Sequence, residues 1–153
     1  MIRIGLDTNI MAYLAGIDRG PLDRDRIEGS RALMHRLVGR ADVVVAVQAA
    51  AELFVVLTRA GAARSEARDI VAAFTAGLER TGTTPEAFEN ALDLAAAHQL
   101  QMWDALILSS YGEAGCALVL SEDMQHGQRF GALTVVNPFR EPLHVALAGI
   151  TSA

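Results

Sequence analysis

Four acidic residues could do chemistry together, because each follows or interrupts an apolar stretch. Asp7 ends Ile2-Arg3-Ile4-Gly5-Leu6 and is followed by Ile10 and Met11. Glu52 sits within Ala49-Ala50-Ala51-Glu52-Leu53-Phe54, and Asp104 within Trp103-Asp104-Ala105-Leu106-Ile107-Leu108. Asp123 follows the apolar run at 116–120. A carboxylate among apolar groups is costly unless something compensates it. All 13 basic residues are arginine; Arg59 is the nearest in sequence to Glu52, and none lies within twenty residues of Asp104. A divalent cation would compensate all four acids at once, and Mg²⁺ prefers hard oxygen ligands while keeping some of its water. Position alone is not decisive, since Asp and Glu also favour helix starts for capping and dipole reasons.

The elements that must position these acids follow from periodicity and breaker residues. Residues 2–6 read as a first strand and 8–14 as a helix. The charged stretch 18–30, broken by Gly20 and Pro21, reads as a loop, with a helix over 30–38. The continuous apolar run 42–47 suits a parallel strand covered on both faces. Helices are expected over 48–59, 64–78, 85–98 and 103–114, the third opening with Pro85 after Thr84. Residues 116–120 and 133–136 read as strands, and the tail from Glu141 as a short helix or loose chain. Strands alternating with helices imply an α/β layer fold with a parallel sheet. In such folds ligands bind beyond the carboxyl ends of the strands, where Asp7 and Asp123 stand. Glu52 and Asp104 lie in the first turns of their helices, so the four can meet at one sheet edge.

Composition narrows the function classes. The chain has 153 residues with 52% hydrophobic content, enough for one domain with a sizeable core. Its core is expected at about 2–139, with a tail at 140–153. One cysteine, Cys116, allows no internal disulfide. No targeting signal or spanning segment is visible, so a cytoplasmic protein with no membrane association is expected. The absence of lysine excludes P-loop NTPases, whose phosphates need one, and argues against haloacid-dehalogenase-type phosphatases. A net charge of −5 does not suit a passive nucleic-acid binder. It does suit a nuclease whose acids converge on phosphate-binding cations.

Asp7-Thr8-Asn9 after a first strand, Glu52 at a helix start, Trp103-Asp104-Ala105-Leu106 and Ser121-Glu122-Asp123 together resemble PIN domains. Gly127-Gln128-Arg129-Phe130-Gly131 and Asn137-Pro138-Phe139 are similar to the C-terminal end of PIN-domain toxins of the VapC kind. The resemblance spans Ile2 to about Phe139. It implies a three-layer α/β/α PIN-like fold with a central, mostly parallel sheet. It also implies Mg²⁺- or Mn²⁺-dependent endoribonuclease activity as the toxin of a type II toxin–antitoxin system. Asp7, Glu52, Asp104 and Asp123 correspond to that family's acidic quartet, as catalytic and metal-holding groups. Thr8, Asn9 and Ser121 match its polar positions beside the acids. The resemblance further implies an RNA substrate, a VapB-like antitoxin and a homodimer.

The remaining chemistry-bearing residues have plainer readings. His35, His98, His126 and His144 are expected at ordinary helix or loop positions, and Cys116 as a small apolar group. Trp103 is expected in the core, with base stacking as the alternative. Arg129, just past the last acid, could bind phosphate; so could Arg59 and Arg64, though solvated arginine is the simpler reading of each. Two other functions compete: a non-catalytic PIN-like binding or assembly module, which would have no need of four clustered acids, and a metal-dependent phosphatase, weakened by the missing lysine.

Overall fold

The computed structural model describes residues 1–18 and 20–152. The chain runs β1 (Ile2–Leu6), α1 (Thr8–Leu14), α2 (Asp23–Leu37), β2 (Ala41–Ala46), α3 (Val47–Arg59), α4 (Arg64–Ala76), β3 (Glu79–Thr81), α5 (Pro85–His98), α6 (Met102–Glu113), β4 (Leu118–Leu120), β5 (Arg129–Phe130), β6 (Leu133–Val136) and α7 (Val145–Thr151). The six strands form one sheet in the order β3-β2-β1-β4-β6-β5. Every neighbouring pair is parallel except β5 with β6. Helices α1–α4 and α7 form one packed group and α5 with α6 another, flanking the sheet.

Continuous apolar strands suit burial on both faces. Ile4, Leu6, Val44, Val45, Val119, Leu120, Val135 and Val136 are all completely or almost completely buried. Helix α6 is buried from Ala105 through Tyr111 without a break, as befits a helix apolar all round. No helix among the described residues is long and apolar enough to cross a membrane.

Two details depart from the sequence reading. Residues 18–30 are not one loop, because α2 begins at Asp23 (Arg19 lies outside the described residues). Asp23 and Asp25 occupy its first turn, favourable against the helix dipole, and Ile27, Ser30, Leu33 and Leu37 form its buried stripe. The dense charge belongs to the solvent face of a helix. Strands β3 and β5 were not anticipated: they are very short and mostly exposed, and their partners define them, Val44 opposite Glu79 and Thr134 opposite Arg129. The tail carries α7, whose Leu147 is buried and whose last carbonyls, at Ile150 and Thr151, accept from Arg40.

The chain steps outward from β1 to β2 to β3, then returns to place β4 on the other side of β1. Strand order therefore reverses between β1 and β4, which opens a crevice at their carboxyl ends. Backbone bonds pin its floor: Asp7 N–H donates to Leu120 at 2.9 Å, and Ser121 N–H to Val136 at 3.0 Å.

Tyr111, on α6, fastens the edge beside that crevice. Its hydroxyl donates to the Leu6 carbonyl and accepts from Ala46 N–H at 3.0 Å. Its ring lies flat on Gly5, where a Cβ would come within 2.6 Å of the ring carbons. Gly5 is glycine because of this close approach. Gly5→Ala is expected to cost about 1–3 kcal/mol through overpacking, lowering the midpoint of thermal unfolding by several degrees; an unchanged midpoint would contradict the contact.

Candidate metal centre

Asp7, Thr8, Asn9, Glu52, Asp104 and Asp123 line one cleft of about 630 Å³, together with Val55, Val56, Arg59, Gln101 and Trp103. Each acid arrives on a different element. Asp7 caps α1 directly after β1. Glu52 lies in α3, which begins where the amide of Ala46 is tied to Tyr111. Asp104 is in the first turn of α6, and Asp123 lies in the turn after β4.

Neutral donors hold three of the four. Asp7, only 6% exposed, accepts from Thr8 N–H at 2.8 Å and from the Ser121 hydroxyl at 2.7 Å. Met124 N–H donates to that same hydroxyl at 3.1 Å, which leaves its proton for Asp7. The Thr8 hydroxyl donates to Glu52 at 2.9 Å, and the Asn9 side-chain amide donates to Asp123. Asp104 is half-buried with no hydrogen bond or ion pair among the described residues.

Charge crowding appears in the acid strengths. Burial pushes the Asp7 carboxyl up to about 6; the bonds from Ser121 and Thr8 pull it down, and the charges of Asp104 and Asp123 push it further up. Asp104 is raised above the usual aspartate range, first by burial and then by Glu52 and Asp123. Four carboxylates with hydroxyl and amide neighbours make an all-oxygen donor set, which fits a hard divalent cation better than a soft one. Among the described residues, however, no three His, Cys, Asp or Glu side chains are gathered tightly enough to hold an ion as they stand. Glu52 and Asp123, half-buried and exposed, keep the rotameric freedom to close in; Asp7 does not.

Other expected residues fall elsewhere. Ser121 is fully buried behind Asp7. Arg129 lies on β5, at the sheet edge two strands beyond β4, and is not among the cleft residues. Arg64 sits over the Phe54 ring at 5.3 Å. Trp103 is not in the core: it is 62% exposed on the cleft, since the buried run of α6 starts at Ala105. His35 and His98 are exposed on helices, and His126 accepts from Asn137 N–H at 3.0 Å with its ring edge-on to His144. Cys116 is free and buried. Tyr111 escaped the sequence reading, since Ser109 and Ser110 beside it carry hydroxyls in the same helix and nothing local sets the tyrosine apart.

The sequence model of the PIN domain matches residues 4–128. Several solved structures are similar. VapC20 of Mycobacterium tuberculosis, described as a sarcin–ricin-loop-cleaving toxin, is 19% identical with a TM-score of 0.61, over 78% of this chain and 89% of that one. VapBC2 of Rickettsia felis, solved with a DNA fragment from its promoter, is 14% identical with a TM-score of 0.68, over 88% and 97%. FitAcB of Neisseria gonorrhoeae is 16% identical with a TM-score of 0.61, over 89% and 98%. At these identities the likeness is one of fold. No curated protein matches the sequence.

The acid strength of Asp7 has a measurable consequence in chelator. An unfolded aspartate titrates near 4 (about 3.9), so the folded chain holds this proton more tightly. The resulting stability is complete below about pH 4 and is lost as pH rises through about 6, ~3 kcal/mol in all. Asp7→Asn removes the titration while keeping an acceptor for Thr8. In EDTA at pH 7 this variant is expected to melt several degrees above wild type, with the gap closing by pH 4. A variant that melts lower at pH 7 would overturn the assignment of strain to Asp7.

Proposed function

The chain belongs to the PIN domain family, and from that premise we propose that it is a Mg²⁺- or Mn²⁺-dependent endoribonuclease, the toxin of a type II toxin–antitoxin pair. The observation that carries this reading is the meeting of Asp7, Glu52, Asp104 and Asp123, from four separate segments, in one cleft at the point where strand order reverses. We further propose one domain over 1–153, with its core at about 2–139, acting in the cytoplasm as a homodimer restrained by a VapB-like antitoxin. PIN nucleases generally use divalent cations, and the oxygen-only donor set suits that chemistry.

Cations held there would activate a water and stabilise the negative charge that develops on the phosphate and on the leaving oxygen. The chain's own residues have distinct tasks. Asp7 is the fixed ligand, held from both sides by Ser121 and Thr8. Asp104, free of competing hydrogen bonds, is the second central ligand. Glu52 and Asp123 are the adjustable ones, and Thr8 and Asn9 orient them.

The open spacing of the acids favours one competitor, a PIN-like module that binds without cutting. Cleavage of labelled RNA in Mn²⁺, beside calorimetric Mn²⁺ titration, separates the two. Asp7→Asn and Asp104→Asn are expected to lower cleavage by on the order of a hundred-fold or more, and Ser121→Ala by about 10–100-fold, the range seen for partners that orient metal ligands. All three should stay folded by circular dichroism. Wild-type cleavage by either Asp variant would refute the site, and a wild-type protein without saturable Mn²⁺ uptake would favour the scaffold. Expression is expected to arrest growth, and co-expression of the cognate antitoxin to relieve it.

A further inference from the structure

The cleft walls carry two groups that the acids do not explain. Trp103 is 62% exposed on the rim, although large aromatic rings are seldom left so open without a partner. It lines the same cleft as Asp7, Glu52, Asp104 and Asp123, so a group lying on the indole is held beside the acids. Arg59, in the last turn of α3, is the only basic residue lining the cleft among the described residues. It makes no ion pair there, whereas its neighbour Arg64 is engaged by Phe54. In a chain of net charge −5, a free arginine facing carboxylates is placed for an anion that those carboxylates would otherwise repel.

We propose that Trp103 and Arg59 are the substrate-positioning pair of this cleft: the indole stacks on an unpaired purine, and the guanidinium holds a neighbouring phosphate. The inference rests on the nuclease reading and deepens it. A flat exposed ring recognises the face of a base, which duplex stacking hides. Stacking strength rises with the area of the base, so a purine beside the presented phosphate is preferred over a pyrimidine. Arginine adds a planar donor fork for phosphate oxygens and a contact that salt weakens. Trp103 thus sets which nucleotide is presented, and Arg59 sets how its backbone enters.

The chain has one tryptophan, so its fluorescence reports Trp103 alone. The titration uses the Asp7→Asn protein in Mg²⁺, in which cutting is expected to be too slow to deplete the RNA during the measurement, with short oligoadenylate, oligouridylate and an RNA duplex of equal length. Oligoadenylate is expected to quench the emission, oligouridylate to bind several-fold more weakly, and duplex to leave emission unchanged. Trp103→Ala, read by a labelled oligoadenylate, is expected to bind about ten-fold more weakly, with Trp103→Phe in between. Arg59→Ala is expected to weaken binding and to reduce the slope of log affinity against log salt by about 0.7, while Arg59→Lys keeps the slope. Equal quenching by duplex and single strand, or oligoadenylate affinity unchanged in Trp103→Ala, overturns the proposal. Wild-type cleavage is scored separately. Cutting without quenching sinks this inference alone; quenching without cutting sinks the nuclease reading and leaves a purine-binding cleft.

Discussion

A single buried tyrosine carries the geometry of the cleft. Tyr111 lies against Gly5 of β1 and shares its hydroxyl between the Leu6 carbonyl and the Ala46 amide. Leu6 is the last residue before Asp7, Ala46 leads into the helix of Glu52, and Tyr111 itself is two turns along the helix of Asp104. One side chain therefore sets the relative position of three elements that each deliver an acid. A buried hydroxyl with both roles satisfied is rigid, because releasing it strands two backbone groups without water. The parallel sheet supplies the platform, and the tyrosine fixes how the strand ends and α6 meet upon it.

On that platform the chain assembles something unfavourable. Four carboxylates share a cleft, and burial alone would make Asp7 costly to ionise. The compensation within the chain is dipolar: a serine, a threonine and an asparagine, rather than lysines or paired arginines. Neutral donors soften the repulsion without cancelling it, and they leave the negative potential available to a cation. Two arginines elsewhere are committed to structure: Arg3 to Glu79 across the sheet, and Arg26 to Glu122 beside the Phe139 ring.

That the four acids share one cleft was legible in the sequence, because a charge inside an apolar run needs a reason and the strand-end positions converge by topology. The core strands were legible as short, mainly apolar runs. What escaped depends on partners distant in sequence. The pairing that defines β3 and β5 belongs to neighbours far along the chain, and their own residues look like loop. The charged start of α2 hid a four-position buried stripe, because charge density masks period. Trp103 looked like core by composition, yet one residue before Asp104 it stands ahead of the buried segment of its helix. Arg129 looked adjacent to the acids by count along the chain, but an antiparallel return carries it to the sheet edge. Tyr111 gave no local sign that its hydroxyl reaches two strands at once.

The donors around the acids are also exchanged rather than local. Ser121, two residues before Asp123, holds Asp7; Asn9, two residues after Asp7, holds Asp123. The first and fourth strands thus each brace the other's carboxylate. Such reciprocity ties the two segments together mechanically: each carries one acid and the donor for the other's acid, so a change of donor on one side unbraces the carboxylate on the other, and a graft of either segment into a related scaffold keeps its geometry only when its counterpart travels with it.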